Sequence, residues 1–180
     1  MHADATPEQS FNIRLRRDGD VAEAASVLMS VHSVDRYPVE GVDQPEAWIK
    51  TPSLIQAWVA VSEGRIVGHA GVSRPNGDES AALWFERSGE NASQVIVAAR
   101  LFVDPEARGM GVGKRLTETV MDYAEQHSVR LVFEVMTKDT TAIHLYEKLG
   151  FQKIGRIVHR YGEDQHVEAI CYVWPTPERP

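Results

Sequence analysis

The sequence has almost no cysteine: Cys171 stands alone in 180 residues, which excludes an internal disulfide and any multi-thiolate zinc site. Such sparing use fits a reducing compartment, and the cytoplasm is the corresponding expectation. Long apolar runs are also missing. The stretch 95–99 is among the longest, far short of the ~20 residues that cross a bilayer. The opening MHADATPEQS is polar and lacks the apolar core of a secretory signal. Neither a membrane span nor a membrane partner is expected. Positive charge is scarce too, with 19 Lys and Arg against 26 Asp and Glu and a net charge of −7. Broad nucleic-acid binding needs a basic face, so a nucleic-acid partner is not expected. No internal repeat or low-complexity tract is visible. What remains is 43% apolar and 25% charged, the make-up of an ordinary globular chain long enough for one substantial core.

Residues 1–10 and 175–180 read as flexible ends around a single domain at 11–174. Inside it, strand and helix patterns alternate. Residues 11–16 alternate apolar and polar as a strand does, and residues 20–32 put Val21, Ala24, Ala25 and Leu28 on one helical face. A short helix is expected at 45–50, with Pro45 suited to its first turn. Residues 56–62 and 65–73 form a strand pair about Glu63-Gly64. A short helix follows at 80–87. Residues 94–103 are apolar on both faces, as a covered central strand requires. The clearest helix is 111–127, where Val112, Leu116, Val120 and Tyr123 make one stripe. Residues 131–136 form a strand, and 140–149 a helix closed by Gly150. Residues 152–159 and 167–174 form a terminal antiparallel pair. The strand–helix–strand unit at 94–136 predicts a parallel, right-handed crossover. The flanking pairs are antiparallel, so the expected fold is mixed α/β around one twisted sheet.

Between the central strand and the best helix lies Asp104-Pro105-Glu106-Ala107-Arg108-Gly109-Met110-Gly111-Val112-Gly113-Lys114-Arg115. Glycines here let backbone amides approach a ligand without a Cβ in the way. The first helical turn adds unpaired N–H groups and the positive end of the dipole, which together suit a pyrophosphate. Arg108, Lys114 and Arg115 add positive charge in an acidic chain. The nucleoside-triphosphate loop Gly-x-x-x-x-Gly-Lys-(Ser/Thr) fails, because its first glycine falls on Arg108 and its last residue on Arg115. The dinucleotide pattern Gly-x-Gly-x-x-Gly fails at Lys114 or Leu116, depending on where it starts. The pattern (Gln/Arg)-x-x-Gly-x-(Gly/Ala) is satisfied by Arg108-Gly109-Met110-Gly111-Val112-Gly113.

In this stretch, from Leu101 to Gly113, the chain resembles the GNAT superfamily of N-acetyltransferases. A second matching motif, Ala142-Ile143-His144-Leu145-Tyr146-Glu147-Lys148-Leu149-Gly150-Phe151, follows at the right distance. The resemblance is sharp over about 94–160 and only architectural over 11–73. It implies the GNAT-like acyl-CoA N-acyltransferase fold, a mixed sheet of about six to seven strands flanked by helices. It implies acetyl-CoA as co-substrate and no metal. The backbone of Leu101, Phe102 and Val103 would pair with the pantetheine arm, an edge-pairing mechanism that an unpaired strand segment supports. Arg108 and the amides from Gly109 through Met110, Gly111, Val112 and Gly113 to Lys114 would hold the pyrophosphate. Tyr146 would lie near the coenzyme A sulfur and serve as general acid. Family members commonly carry asparagine seven residues before that tyrosine. Asp139 stands there instead and keeps an acceptor without the amide donor.

An attacking amine must lose a proton, since an alkylammonium has a pKa near ~10.4. Many relatives place a carboxylate on the central strand, but residues 94–103 contain none. Glu134 is the one carboxylate on the neighbouring strand and alternates away from Leu131, Phe133 and Val135, so it is the candidate base. His69 is a second candidate. Cys171 raises an acetyl-cysteine intermediate, but it sits in a buried-looking strand, so direct transfer in a ternary complex is expected. His159 and His166 bracket the last hairpin and make only a weak metal signal. The resemblance places the acceptor wall at 32–54, 74–93 and 159–166. The first of these holds Asp35, Glu40, Asp43 and Glu46, and Tyr37, Trp48, Trp84 and Phe85 line a pocket or pack the core. A small-molecule primary amine is the expected acceptor. A peptide N-terminus or protein lysine is the alternative, and a non-catalytic acyl-CoA-binding module is the reading from another class. Family members are often dimers, which makes a homodimer compatible.

Overall fold

The computed structural model describes residues 10–175, so the flexible ends expected at 1–10 and 175–180 lie, but for Ser10 and Pro175, outside the described residues. The chain runs β1 (Asn12–Leu15), α1 (Val21–Asp35), α2 (Pro45–Ile49), β2 (Leu54–Ser62), β3 (Arg65–Ser73), α3 (Glu79–Ser88), β4 (Val95–Val103), α4 (Val112–Gln126), β5 (Arg130–Met136), α5 (Thr140–Lys148), β6 (Gln152–Tyr161) and β7 (Gln165–Trp174). The seven strands form one sheet in the order β1-β2-β3-β4-β5-β7-β6. Only β4 and β5 pair in parallel; the other neighbours are antiparallel. That is the mixed sheet the alternating patterns predict.

Several elements exceed their expected ends, the first helix and the last hairpin by the most. The first helix continues to Asp35 and closes on Arg36 in the left-handed region at φ 59°, because no breaker precedes Pro38. The last hairpin extends through Tyr161 and Gln165, with Arg160 opposite His166. Backbone pairing there continues through polar residues, which carry no apolar alternation.

Helices cover both faces of the sheet. On one face α4 and α5 pack Val112, Leu116, Val120 and Tyr146 against Leu131, Phe133 and Val135 of β5. Full burial of each aliphatic side chain contributes roughly 1.5–3 kcal/mol. On the other face α1 and α2 pack on Val59, Ile66 and Phe102, while α3 packs on Val95, Val97, Val132 and Cys171. Cross-strand partners show that these two clusters share a face: His69 opposes Phe102, Gly71 opposes Ala99, Ser73 opposes Val97, and Val97 opposes Val132. A groove therefore runs between α2 and α3 over the middle of β3 and β4.

The central strand is not continuous. The register of β3 against β4 shifts between His69 and Gly71, and Arg100 adopts φ 58°. This bulge bends β4 away from β5, and their pairing ends at Val97 opposite Val132. From Ala98 to Val103 the described pairing of β4 is with β3 alone.

Candidate active site

The gap between β4 and β5 is the centre of the site, and its two banks are built from different materials. The first bank is backbone. Gly109 and Gly111 adopt φ +83° and +84°, a region that strains any residue with a Cβ. Gly111 is the N-cap of the 15-residue α4. The Arg115 amide bonds back to the Gly111 carbonyl, so the amides just before it face out of the helix without intrahelical partners. A Cβ at Gly113 would stand 3.7 Å from a methyl of Val103, over the end of β4. The turn, the first turn of α4 and the stretch Leu101–Phe102–Val103, which pairs with β3 but not with β5, are therefore contiguous, and glycine-borne amides there fit a diphosphate.

The charged side chains of this motif are already engaged. The Arg108 guanidinium pairs with the Asp35 carboxylate at the end of α1, and Lys114 and Arg115 approach Glu118 at 3.9 and 4.0 Å. The latter two pairs are exposed and weak. In the sequence Arg108 stands as added charge for the cradle; its tie to Asp35, 73 positions away in the chain, arises only on folding.

Tyr146 lies on the α5 side of the gap with its ring edge-on to Phe133 and Phe151. Burial, with a further push from Asp139, raises its phenol to about 12, so it stays protonated at neutral pH. Asp139 precedes α5 and is half-buried, which pushes its carboxyl upward.

Glu134 lies on the opposite face, the one shared by α1, α2 and α3, where it opposes Cys171 of β7. Burial raises its carboxyl to about 7, opposed by His159 and reinforced by the carboxylates of Asp78, Glu79 and Glu40. The His159 Nδ1 stands 3.5 Å from Glu134, and its Nε2 stands 3.8 Å from Glu40. The sequence singled out Glu134 but not the histidine beside it, because β6 and the loop after α1 meet only in the folded chain. Glu79, Glu134 and His159 have ligand atoms within 4.8 Å of one another, the one such group among the described residues.

Other candidates fall away from the chemistry. His69 is fully buried; its ring nitrogens sit 2.7 Å from the Arg100 carbonyl and 3.1 Å from the Arg16 guanidinium. Burial lowers it to about 4. With Arg16 donating, the accepting Nε2 leaves Nδ1–H for the carbonyl, so His69 pins the bulge and is no base. Cys171 is fully buried with its thiol pushed up to about 12 by burial and the nearby carboxylates, which leaves it inert. Trp84 packs under α3 and donates to Glu90 at 2.7 Å. Trp48 lies beneath the Arg100 guanidinium, 4.0 Å from its ring centre. Of the four acidic residues expected on the acceptor wall, Asp35 is taken by Arg108, and Glu40 is the one facing His159.

A cavity of about 400 Å³ lies at the far ends of β4 and β5, lined by Gln94, Ser128 and Arg130. It carries the Arg130–Glu90 pair at 3.1 Å and none of the groups above. A smaller cavity of about 200 Å³ occupies the groove between α2 and α3. No described helix is long and apolar enough to cross a membrane.

Comparison with known proteins agrees with this geometry. The family model for the acetyltransferase (GNAT) family matches residues 21–151. The chain is similar to N-alpha-acetyltransferase RimI of Mycobacterium tuberculosis, at 33% identity over 53% of this chain and 51% of the relative. It is also similar to human N-acetyltransferase 8B, at 34% identity over 67% of this chain and 49% of the relative. The chain thus spans about half the length of these curated relatives. Among solved structures, the fold matches Arabidopsis thaliana NAA60 in complex with acetyl-CoA, with a TM-score of 0.69 at 19% identity, covering 92% of this chain and 98% of that one. It also matches yncA from Salmonella typhimurium with acetyl-CoA, with a TM-score of 0.69 at 16% identity, covering 94% and 95%.

Proposed function

The chain belongs to the acetyltransferase (GNAT) family, and from that premise we propose that it transfers the acetyl group of acetyl-CoA to a primary amine, by direct attack in a ternary complex. The observation that carries the reading is the early parting of β4 and β5 at Val97 beside the glycine turn. It leaves a slot with a carboxylate on one face of the sheet and a phenol on the other.

Acetyl-CoA supplies an activated thioester. In the proposed arrangement, amides from Gly109 to Lys114 hold the pyrophosphate, and β4 from Leu101 to Val103 aligns the pantetheine arm. Glu134 takes the proton of the incoming ammonium. A carboxyl near 7 is far better matched to that task than an ordinary one. The new C–N bond forms as the C–S bond breaks, and the second proton that the nitrogen sheds passes to the released thiolate. Tyr146, protonated throughout the neutral range, offers its O–H to the departing sulfur. A free thiol titrates near ~8.5, so the phenol gives mainly a hydrogen bond until the thiolate has left. A small-molecule amine is the acceptor we favour, because the cavity in the acceptor groove is confined, at about 200 Å³. A peptide acceptor is the alternative reading, prompted by the similarity to N-alpha-acetyltransferase RimI.

The test is a thiol-release assay with acetyl-CoA against amines, amino acid amides and short peptides. Turnover is expected with at least one small amine, and Tyr146→Phe is expected to lower kcat about a hundredfold without weakening acetyl-CoA binding. Tight coenzyme A binding with no thiol release from any acceptor would point instead to a binding module.

A further inference from the structure

The cavity in the α2–α3 groove has a defined chemical character. Its floor is apolar, made by Val97 and Ala99 of β4, and its rim carries Thr51 and Ser53 after α2 and Asn76 before α3. Ser73, at the end of β3, completes it. Two of the charged lining residues are committed elsewhere. Asp78 caps α3, its Oδ1 accepting from the Ala81 amide at 2.9 Å. Arg100 donates to the Trp48 carbonyl at 2.9 Å and stacks on that ring. Arg74 is exposed. Below that exposed rim, what is left to bind is neutral: hydroxyls and one amide over a small aliphatic floor.

Ser73 is 5% exposed, and its Oγ has no hydrogen-bond partner. A buried hydroxyl without a partner is destabilising, and native proteins rarely leave one without a reason. Neighbouring Ser80 shows the contrast, since its hydroxyl bonds to Asp78. The cavity is also well placed. Ala99 immediately precedes the bulge at Arg100, and Asp78 adjoins Glu79, whose carboxylate lies within 4.8 Å of Glu134. At about 200 Å³ it is below the ~300–1,000 Å³ typical for a whole drug-sized ligand. It suits one substituent of an acceptor whose amine lies at Glu134.

We propose that the acceptor carries, a few bonds from its nucleophilic amine, a small uncharged hydroxyl-bearing group, and that Ser73 receives that group in this cavity. The inference rests on the acetyl-transfer reading above for the position of the amine. Ser73 is then the residue that sets acceptor specificity. A site built to hydrogen-bond a hydroxyl rejects the apolar isostere because its own buried polar group is left unpaired.

Threoninamide and valinamide have the same shape and differ at one group, so they test the assignment directly. The wild-type chain is expected to favour threoninamide by about tenfold in kcat/KM, and Ser73→Ala to bring the ratio close to one. The variant removes an unpartnered hydroxyl and opens no steric clash, so the fold is retained. Equal use of the two amides by the wild type, or a preference that survives Ser73→Ala, would overturn the assignment. Saturation-transfer NMR on protein saturated with coenzyme A reads the same preference as binding. Preferential binding of threoninamide without product formation would sink the acetyl-transfer reading and leave the pocket assignment standing. Equal turnover of both amides would do the reverse, and no binding of either would overturn the pocket.

Discussion

The two banks of the β4–β5 gap differ in how the chain makes them. The α4 bank comes from one run of sequence, Leu101 to Lys114, and presents backbone amides in a turn whose Gly109 and Gly111 conformations only glycine adopts without strain. The α3 bank is assembled from side chains on distant elements: Glu40 after α1, Ser73 on β3, Glu134 on β5 and His159 on β6. A backbone cradle suits a ligand that never changes, because main-chain geometry is insensitive to which side chains surround it. A side-chain bank suits one that differs between relatives, since each contributing strand can be altered without disturbing the sheet.

That contrast is sharpest in the response to substitution. Gly113→Val places a branched side chain over the end of β4, where the nearest atom to its Cβ is a Val103 methyl at 3.7 Å. Helical content is expected to persist by circular dichroism. Calorimetry should show acetyl-CoA affinity falling about a hundredfold, as for the loss of one or two charge-assisted hydrogen bonds. Unchanged affinity would break the claim that the first bank is a cradle.

Glu134→Gln should do the opposite, lowering kcat/KM roughly a hundredfold or more with acetyl-CoA affinity intact. In the wild type, kcat/KM should rise with pH up to about 7 as Glu134 loses its proton, and the variant should lack that limb. Stability provides a second check. The folded carboxyl, at about 7, lies above its ordinary 4.5, so ionisation is penalised by folding. The associated stability is fully present below about 4.5 and is lost as pH rises through about 7. Chemical denaturation should find Glu134→Gln more stable than the wild type by on the order of 1–2 kcal/mol at pH 8 and equal to it at pH 4.

The smallest effect concerns the one contact in which the cradle's own side chain is held by α1. Asp35→Asn releases Arg108 and should tighten acetyl-CoA binding two- to threefold at low salt, with the gain vanishing as salt screens it. Weaker binding in this variant would mean that the ion pair orders the turn rather than withholds a cation.

These outcomes bear on what could be read before folding. The glycine turn was legible because contiguous residues shape it. The strand and helix pattern was legible because the period of apolar residues survives in the linear chain. The bulge at Arg100 left one trace, a lone charge in an otherwise apolar strand, and that trace says nothing of φ or of the His69 pin beneath it. In the linear chain His159 is only a weak metal signal, and Ser73 carries no signal at all. Both matter through neighbours that lie far away in sequence.

By itself, then, the sequence determined the order of elements, the sheet they build and the phosphate-type turn, because each depends on local backbone preference and on periodicity within one segment. Tertiary structure alone decided where β4 leaves β5, that Arg108 is held by α1, that Glu134 is half-desolvated beside His159, and that Ser73 is buried without a partner. Burial, charge coupling and strand divergence are properties of juxtaposition, and no single segment contains them.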